Sequence, residues 1–232
     1  MTLHVRSLWR YPVKSFGGER LDSASVSATG LEGDRTFGLR DVETGLVLTA
    51  RRQPELLFAS ATWSAGSVRI TLPDGSVTDS DADLSNWLGK PVELLEGGSI
   101  AGTFENPLDV ENDSDWVQWT GPSDSFHDSE RNRVSLVSDA TLGEWPEQRF
   151  RKNILCVGSG EDELVGSNIT IGSVRFNVLK KVARCVMVTR PQPGIDRDLS
   201  VLKTLNAERN SELGVGMIID TPGELAVGDT VN

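Results

Sequence analysis

Cys185 is the residue in this chain best placed to do chemistry. It follows Arg184 in the stretch 176–197, Phe-Asn-Val-Leu-Lys-Lys-Val-Ala-Arg-Cys-Val-Met-Val-Thr-Arg-Pro-Gln-Pro-Gly-Ile-Asp-Arg. A β-branched strand is predicted to deliver the thiol, and Pro191-Gln192-Pro193-Gly194 breaks the chain behind it. Two readings are open. A single cysteine among Val, Ala and Met is commonly a small buried hydrophobe. In an electropositive, partly exposed setting it is instead a metal-ligand thiolate, with Arg184 as an anion holder beside it. The other cysteine, Cys156, sits in Ile-Leu-Cys-Val and reads as a packed strand residue.

Other residues suit an anionic partner. Lys14-Ser15 precedes Gly17 and Gly18. This is either a plain loop or a phosphate seat, in which Lys is a point charge, Ser a donor, and the turn offers N–H groups. Gly33-Asp34-Arg35 is either a tight turn with a solvent ion pair or a further cation for that seat. Arg151 and Asn153 lie two apart on a predicted strand and so share a face. Burying them together is costly without an anionic, hydrogen-bonding ligand. The property common to these groups is donor chemistry suited to a polyanionic, heteroatom-rich cofactor. Zinc chemistry has little support. His4 and His127 are the only histidines, and no His/Cys/Asp set has zinc-ligand spacing. Phe126-His127-Asp128 lacks a Gly-x-Ser-x-Gly elbow, and His127 reads as a surface residue. No Walker loop or dinucleotide-binding glycine pattern is present.

Composition narrows the function classes. At 232 residues the chain suits one large or two small domains with a real core. No apolar run approaches the ~18 residues of a membrane span. The start, Met-Thr-Leu-His-Val-Arg, has no signal-peptide apolar region. A cytoplasmic protein with reduced thiols is expected, without membrane attachment. The net charge of −11 argues against nonspecific nucleic-acid binding. Between Pro91 and Glu130 there is no Lys or Arg but ten acidic residues. That segment reads as solvated chain, with an acidic face for a basic redox partner as the other reading. Basic residues cluster instead at 10–20, 35–52, 149–152 and 180–197.

The elements that must position these residues are mostly short strands. Alternation predicts strands at 3–11 and 21–28, a hairpin of Thr36–Asp41 with Leu46–Thr49, and strands at 57–63, 67–72 and 76–78. Asp83–Leu88 is a short predicted helix stopped by Gly89. Residues 97–130 form an excursion expected to pack through Phe104, Trp116 and Trp119. Strands follow at 134–137, 150–157, 168–171 and 173–182, with Ser138 or Asp139 capping a helix between the first two. A helix over Asp198–Asn206 is expected to bury Leu199, Leu202 and Leu205. The expected fold is mainly β with a few short helices. It comprises an N-terminal β-barrel over 1–115 and a second β-barrel unit over 116–232.

Taken in order, several stretches resemble one family. Tyr11-Pro12-Val13-Lys14-Ser15, Gly33-Asp34-Arg35 and Leu48-Thr49-Ala50-Arg51 are similar to the barrel that precedes a MOSC domain. Ser135–Leu142, Arg149-Phe150-Arg151-Lys152-Asn153, Ala183-Arg184-Cys185 and Gly223-Glu224-Leu225-Ala226-Val227-Gly228-Asp229 resemble the MOSC domain itself. Within the family the resemblance is to the mitochondrial amidoxime-reducing component and its bacterial relatives. It implies a molybdenum–pyranopterin cofactor ligated by Cys185. Lys14, Ser15 and Arg35 would hold its phosphate end and Arg151 and Asn153 the pterin, while Ser138, Asp139 and Arg184 line the same cleft. A soft thiolate suits such a metal. The implied activity is oxygen removal from small N-oxygenated substrates, fed by a separate flavin or iron–sulfur reductase. An alternative is a persulfide carrier or cofactor-storage protein acting through Cys185. Two departures stand out. Lys152 occupies a position usually held by Pro, adding charge and loosening the strand. The acidic Asp-Pro turn after the cysteine is replaced by Thr189-Arg190-Pro191-Gln192-Pro193-Gly194. With Asn232 as the last residue, neither an appended iron–sulfur domain nor a pyridoxal-phosphate domain is expected, and desulfurase activity is not implied.

Overall fold

The structure is a computed structural model and describes residues 3–98, 101–107 and 115–232. Its frame is a seven-stranded sheet in the order Asn168–Ile171, Val174–Ala183, Glu212–Thr221, Val134–Ser138, Ile154–Val157, His4–Arg10, Glu19–Leu21. Every neighbouring pair is antiparallel except Val134–Ser138 with Ile154–Val157. A parallel pair needs a crossover. Here it holds the helix Asp139–Leu142 and the 3-10 turn Glu147–Phe150.

The sheet is covered on both faces, and the period of two sorts its residues between them. Leu136 and Ile154 point into one core with Val5, Leu8, Phe176, Val178 and Met217. Their neighbours Val137 and Leu155 point into the other, against Val201 and Leu205 of the helix Ser200–Arg209. This helix starts later than expected because Asp198 Oδ1 accepts from the Ser200 amide and hydroxyl, at 2.8 and 2.6 Å. The shift buries Val201 and leaves Leu199 half exposed.

The N-terminal half packs around Phe16, Leu39, Leu56, Ile70 and Leu84. Its meander, Ser60–Ser64, Ser67–Thr71 and Val77–Thr78, follows the alternation read from sequence. The helix Asp81–Leu88 ends at Gly89, in the left-handed region. The expected hairpin around Glu43-Thr44-Gly45 forms as a short one: the Asp41 amide donates to the Leu46 carbonyl at 2.9 Å and the Leu48 amide to the Leu39 carbonyl at 2.7 Å. The other edge of Phe37–Asp41 ladders with Val92–Glu96, while Val47 bridges Arg40 on the hairpin side. The Val47 amide faces outward and donates to the Thr103 carbonyl at 2.8 Å. The excursion folds back as a hairpin, Thr103–Pro107 with Trp116–Thr120. Phe104 and Trp119 pack there at 5.9 Å with Val47 and Phe126. Trp116 lies under the Arg52 guanidinium at 4.0 Å.

The two halves share sheets. His4–Arg10 pairs with Ile154–Val157, and Ser23–Ser27 with Gly223–Ala226. Loops from both halves therefore meet along one seam. Among the described residues no helix is long and apolar enough to cross a membrane.

Candidate functional site

A cleft of about 250 Å³ opens along that seam. Lys14, Ser15, Arg35, Arg151, Asn153, Arg184 and Cys185 all line it, so most of the predicted site comes together. Ser138 and Asp139 do not line it. Ser138 is fully buried and caps its own helix by accepting from the Thr141 amide at 3.2 Å. Asp139 Oδ1 accepts from the Gly158 amide at 2.9 Å. Both side chains are spent closing the crossover.

The backbone aims the site through unusual turns. Ser15, Arg35 and Arg151 have φ of 70°, 53° and 52°, a left-handed conformation that non-glycine residues adopt at a cost. Gly33 prepares the second of these turns. Its φ is 77°, and a Cβ there would come within 2.5 Å of the Trp63 ring. The strand expected to carry Arg151 and Asn153 together begins only at Ile154. The left-handed Arg151 instead ends the 3-10 turn, and its N–H returns to the Gln148 carbonyl at 3.1 Å. Asn153 is already satisfied by the protein. Its Oδ1 accepts from the Ser135 amide and hydroxyl at 3.1 and 3.0 Å, and its Nδ2 donates to the Trp9 carbonyl at 3.2 Å.

Electrostatics define the cleft. Lys14 Nζ donates to the Phe126 carbonyl and to Asp128 Oδ1, both at 2.8 Å, and lies 4.1 Å from the Phe104 ring centre. Burial pulls Lys14 down to about 8, with Arg51 and Arg35 acting in the same direction against Asp128. Arg35 is paired with the buried Asp34 and donates to the Arg151 carbonyl. Arg151 donates to the Phe16 carbonyl. The guanidiniums of Arg35 and Arg151 both lie over the Tyr11 ring, at 5.2 and 4.3 Å. Burial, aided by Arg35, brings Arg151 and Arg184 down to about 10. Arg184 donates to the Phe150 and Leu213 carbonyls at 3.2 and 3.1 Å, and its Nε has no hydrogen-bond partner among the described residues.

Cys185 follows the strand end at Ala183 and caps the 3-10 turn Val186–Thr189. It is half-buried and unpaired, whereas Cys156 is fully buried and burial pushes its thiol up to about 12. Arg149 braces the segment behind Cys185 by donating to the Val188 and Asp196 carbonyls, both at 2.9 Å.

Several residues of the cleft were not anticipated. Arg51 faces the Cys185 sulfur and lies 3.7 Å from Asp128 Oδ1. Burial works against the Arg51 charge, but Asp128 and Cys185 outweigh it and raise its pKa. Asp128 is the only carboxylate lining the cleft among the described residues. It came from the acidic segment read as solvated. Arg51 stood in the Leu48-Thr49-Ala50-Arg51 stretch, and its place in that motif was the signal available. His127 is buried, not at the surface, 3.8 Å from Asp34 Oδ2. Burial, with Arg35, Arg133 and Lys14, lowers it well below the ordinary range, so it is a neutral imidazole. Lys152 adds less charge than its type implies. It is buried against Gly214 with no hydrogen-bond partner for Nζ among the described residues, and burial followed by Arg184 depresses it strongly.

This seam, with a thiol beside enclosed cations, is spanned by two matching family descriptions. The MOSC N-terminal beta barrel domain matches residues 2–97, and the MOSC domain matches residues 123–232. The chain belongs to the MOSC family. Bovine mitochondrial amidoxime reducing component 2 is 24% identical over 278 residues, covering 98% of this chain and 82% of that protein. Molybdenum cofactor sulfurase of Drosophila erecta is 26% identical over 240 residues, covering 90% of this chain but 30% of the sulfurase. The YuaD protein of Bacillus subtilis shares the fold, with a TM-score of 0.52, 14% identity, and coverage of 100% of this chain and 94% of that one. The MOSC chain is thus similar to proteins whose names tie them to amidoxime reduction and to the molybdenum cofactor.

Proposed function

We propose that this MOSC protein is a molybdenum–pyranopterin oxidoreductase that reduces small N-oxygenated substrates. The observation that carries the reading is Cys185, a half-buried thiol facing Arg51 in a cleft where burial and mutual repulsion lower Lys14, Arg151 and Arg184. Cations in that state gain by meeting an anion, and a phosphate-bearing pterin is one. Lys14, Ser15, Arg35 and Arg51 would take the phosphate end. Arg151 and Arg184 would face the rest of the cofactor, with Asn153 holding the wall through Ser135 and Trp9. Cys185 would be the protein ligand to the metal, since a soft thiolate suits molybdenum. When bound, the cofactor supplies two-electron chemistry at the metal. The chain's own part is to bind and orient it, and Arg149 fixes the backbone behind Cys185.

The bovine relative is named as a component. That fits dependence on a separate electron-donor protein, of flavin or iron–sulfur type. Two unpaired cysteines suit a reducing cytoplasm. The test is molybdenum per chain in protein made by a pterin-competent host, beside Cys185→Ser. Near-stoichiometric metal in the wild type, lost in the variant, is the expected result, followed by N-hydroxylated substrate reduction with a supplied reductase. A wild type free of metal and carrying a persulfide on Cys185 would replace this reading with the sulfur-carrier one.

A further inference from the structure

The loop that carries His127 and Asp128 puts a carboxylate at the cations of the cleft. Asp128 Oδ1 is 2.8 Å from Lys14 Nζ and 3.7 Å from Arg51 Nη2. The two cations belong to the wall, their side chains being 7% and 13% exposed. The Asp128 side chain is 59% exposed and reaches in from the mouth. Lys14 is fixed without it, by the Phe126 carbonyl and the Phe104 ring. Arg51 is shared between Asp128 and the Cys185 sulfur.

We propose that Asp128 is an internal counter-anion, holding the Lys14–Arg51 seat until an oxyanion of the incoming ligand, such as a phosphate group, displaces it. Enclosed cations left unpaired are costly, whereas replacing one anion by another keeps them compensated throughout. The released carboxylate already stands mostly in water, so its departure needs little rehydration. The affinity of any oxyanion is then reduced by the fraction of molecules in which Asp128 occupies the seat. Weak monovalent anions are excluded, and a divalent group on a ligand that makes further contacts in the cleft is admitted. The proposal rests on the reading that the cleft takes an anionic ligand, but not on that ligand carrying molybdenum.

Sulfate is the probe, titrated calorimetrically into the ligand-free chain at pH 7 and low ionic strength. Asp128→Asn should bind sulfate about tenfold more tightly than the wild type. Asp128→Glu, which keeps the carboxylate, should stay close to the wild type. Equal or weaker binding by Asp128→Asn overturns the proposal, because Asp128 would then be helping to build the seat. Should Asp128→Asn fail to fold, hydrogen exchange on the wild type decides. Sulfate should speed exchange of the amides around Asp128, whereas slowing or no change refutes the displacement. A metal-free protein from the pterin-competent host would sink the molybdenum reading and leave this result standing.

Discussion

Replacing Asp34 by Asn tests whether the cation cluster is held by a buried charge. The Asp34 side chain is fully enclosed, accepts from the Tyr11 amide at 2.8 Å and pairs with Arg35. The carboxamide introduced by Asp34→Asn would keep an acceptor for that amide and lose the charge. Arg35 would then stand uncompensated near Lys14 and Arg151, whose charges it already disfavours. Removing one partner of a buried pair costs about 3–5 kcal/mol. Arg35 is 16% exposed and keeps its bond to the Arg151 carbonyl, which places the loss near the lower end, about 3 kcal/mol. Asp34→Ala also orphans the Tyr11 amide, adding about 1–2 kcal/mol. Urea unfolding followed by tryptophan fluorescence gives both values. The double variant Asp34→Asn with Arg35→Gln should recover part of the loss, because it removes the stranded charge as well. Sulfate should stabilise Asp34→Asn by more than it stabilises the wild type. A loss below about 1 kcal/mol for Asp34→Asn, or no recovery in the double variant, would show that the pair carries little and that the reasoning is wrong.

Two further outcomes follow from the same geometry. Lys14 is held near 8, so it loses its proton as pH rises through that value. Sulfate needs the charged form, and its binding should weaken several-fold between pH 7 and 9, measured in a Cys185→Ala background because thiols ordinarily ionise near pH ~8.5. Lys14→Arg should flatten that profile, and an unchanged slope would assign the effect elsewhere. Ser138→Ala should cost about 1 kcal/mol through the lost helix cap and leave sulfate affinity unchanged, which urea unfolding and calorimetry together would check.

The strands were legible where burial imposes a period of two, as in His4–Arg10 and in Ser60–Ser64 with Ser67–Thr71. Partners were less so. Phe37–Asp41 meets its neighbour across the turn, but its longer ladder is with a strand some fifty positions away, which no local pattern reports. Much of the site was found through ordered motifs rather than through spacing. Arg151 and Asn153 both line the cleft without sharing a strand face, since Arg151 lies in a left-handed turn. Ser138 and Asp139 stand in the same ordered motif, but Ser138 accepts from an amide of its own helix and Asp139 from the Gly158 amide. Asp128 was overlooked because it meets Lys14 across 114 positions, a separation no local pattern reports.

The way the cations are held explains why the cleft can carry so much like charge. Lys14, Arg35, Arg151 and Arg184 each donate to a backbone carbonyl, of Phe126, Arg151, Phe16 and Phe150 respectively. A carbonyl satisfies a donor and fixes its direction without cancelling its charge. Asp34 and Asp128 are the carboxylates in contact with this group among the described residues. One is enclosed and permanent, and the other stands at the mouth. The fold therefore fixes the geometry with neutral acceptors and leaves a positive field directed into the cleft beside Cys185. Left-handed turns at Ser15, Arg35 and Arg151 bring those carbonyls and side chains into reach of one another. The sheets shared between the halves hold the turns in place, so binding in the cleft and cohesion of the two halves depend on the same contacts.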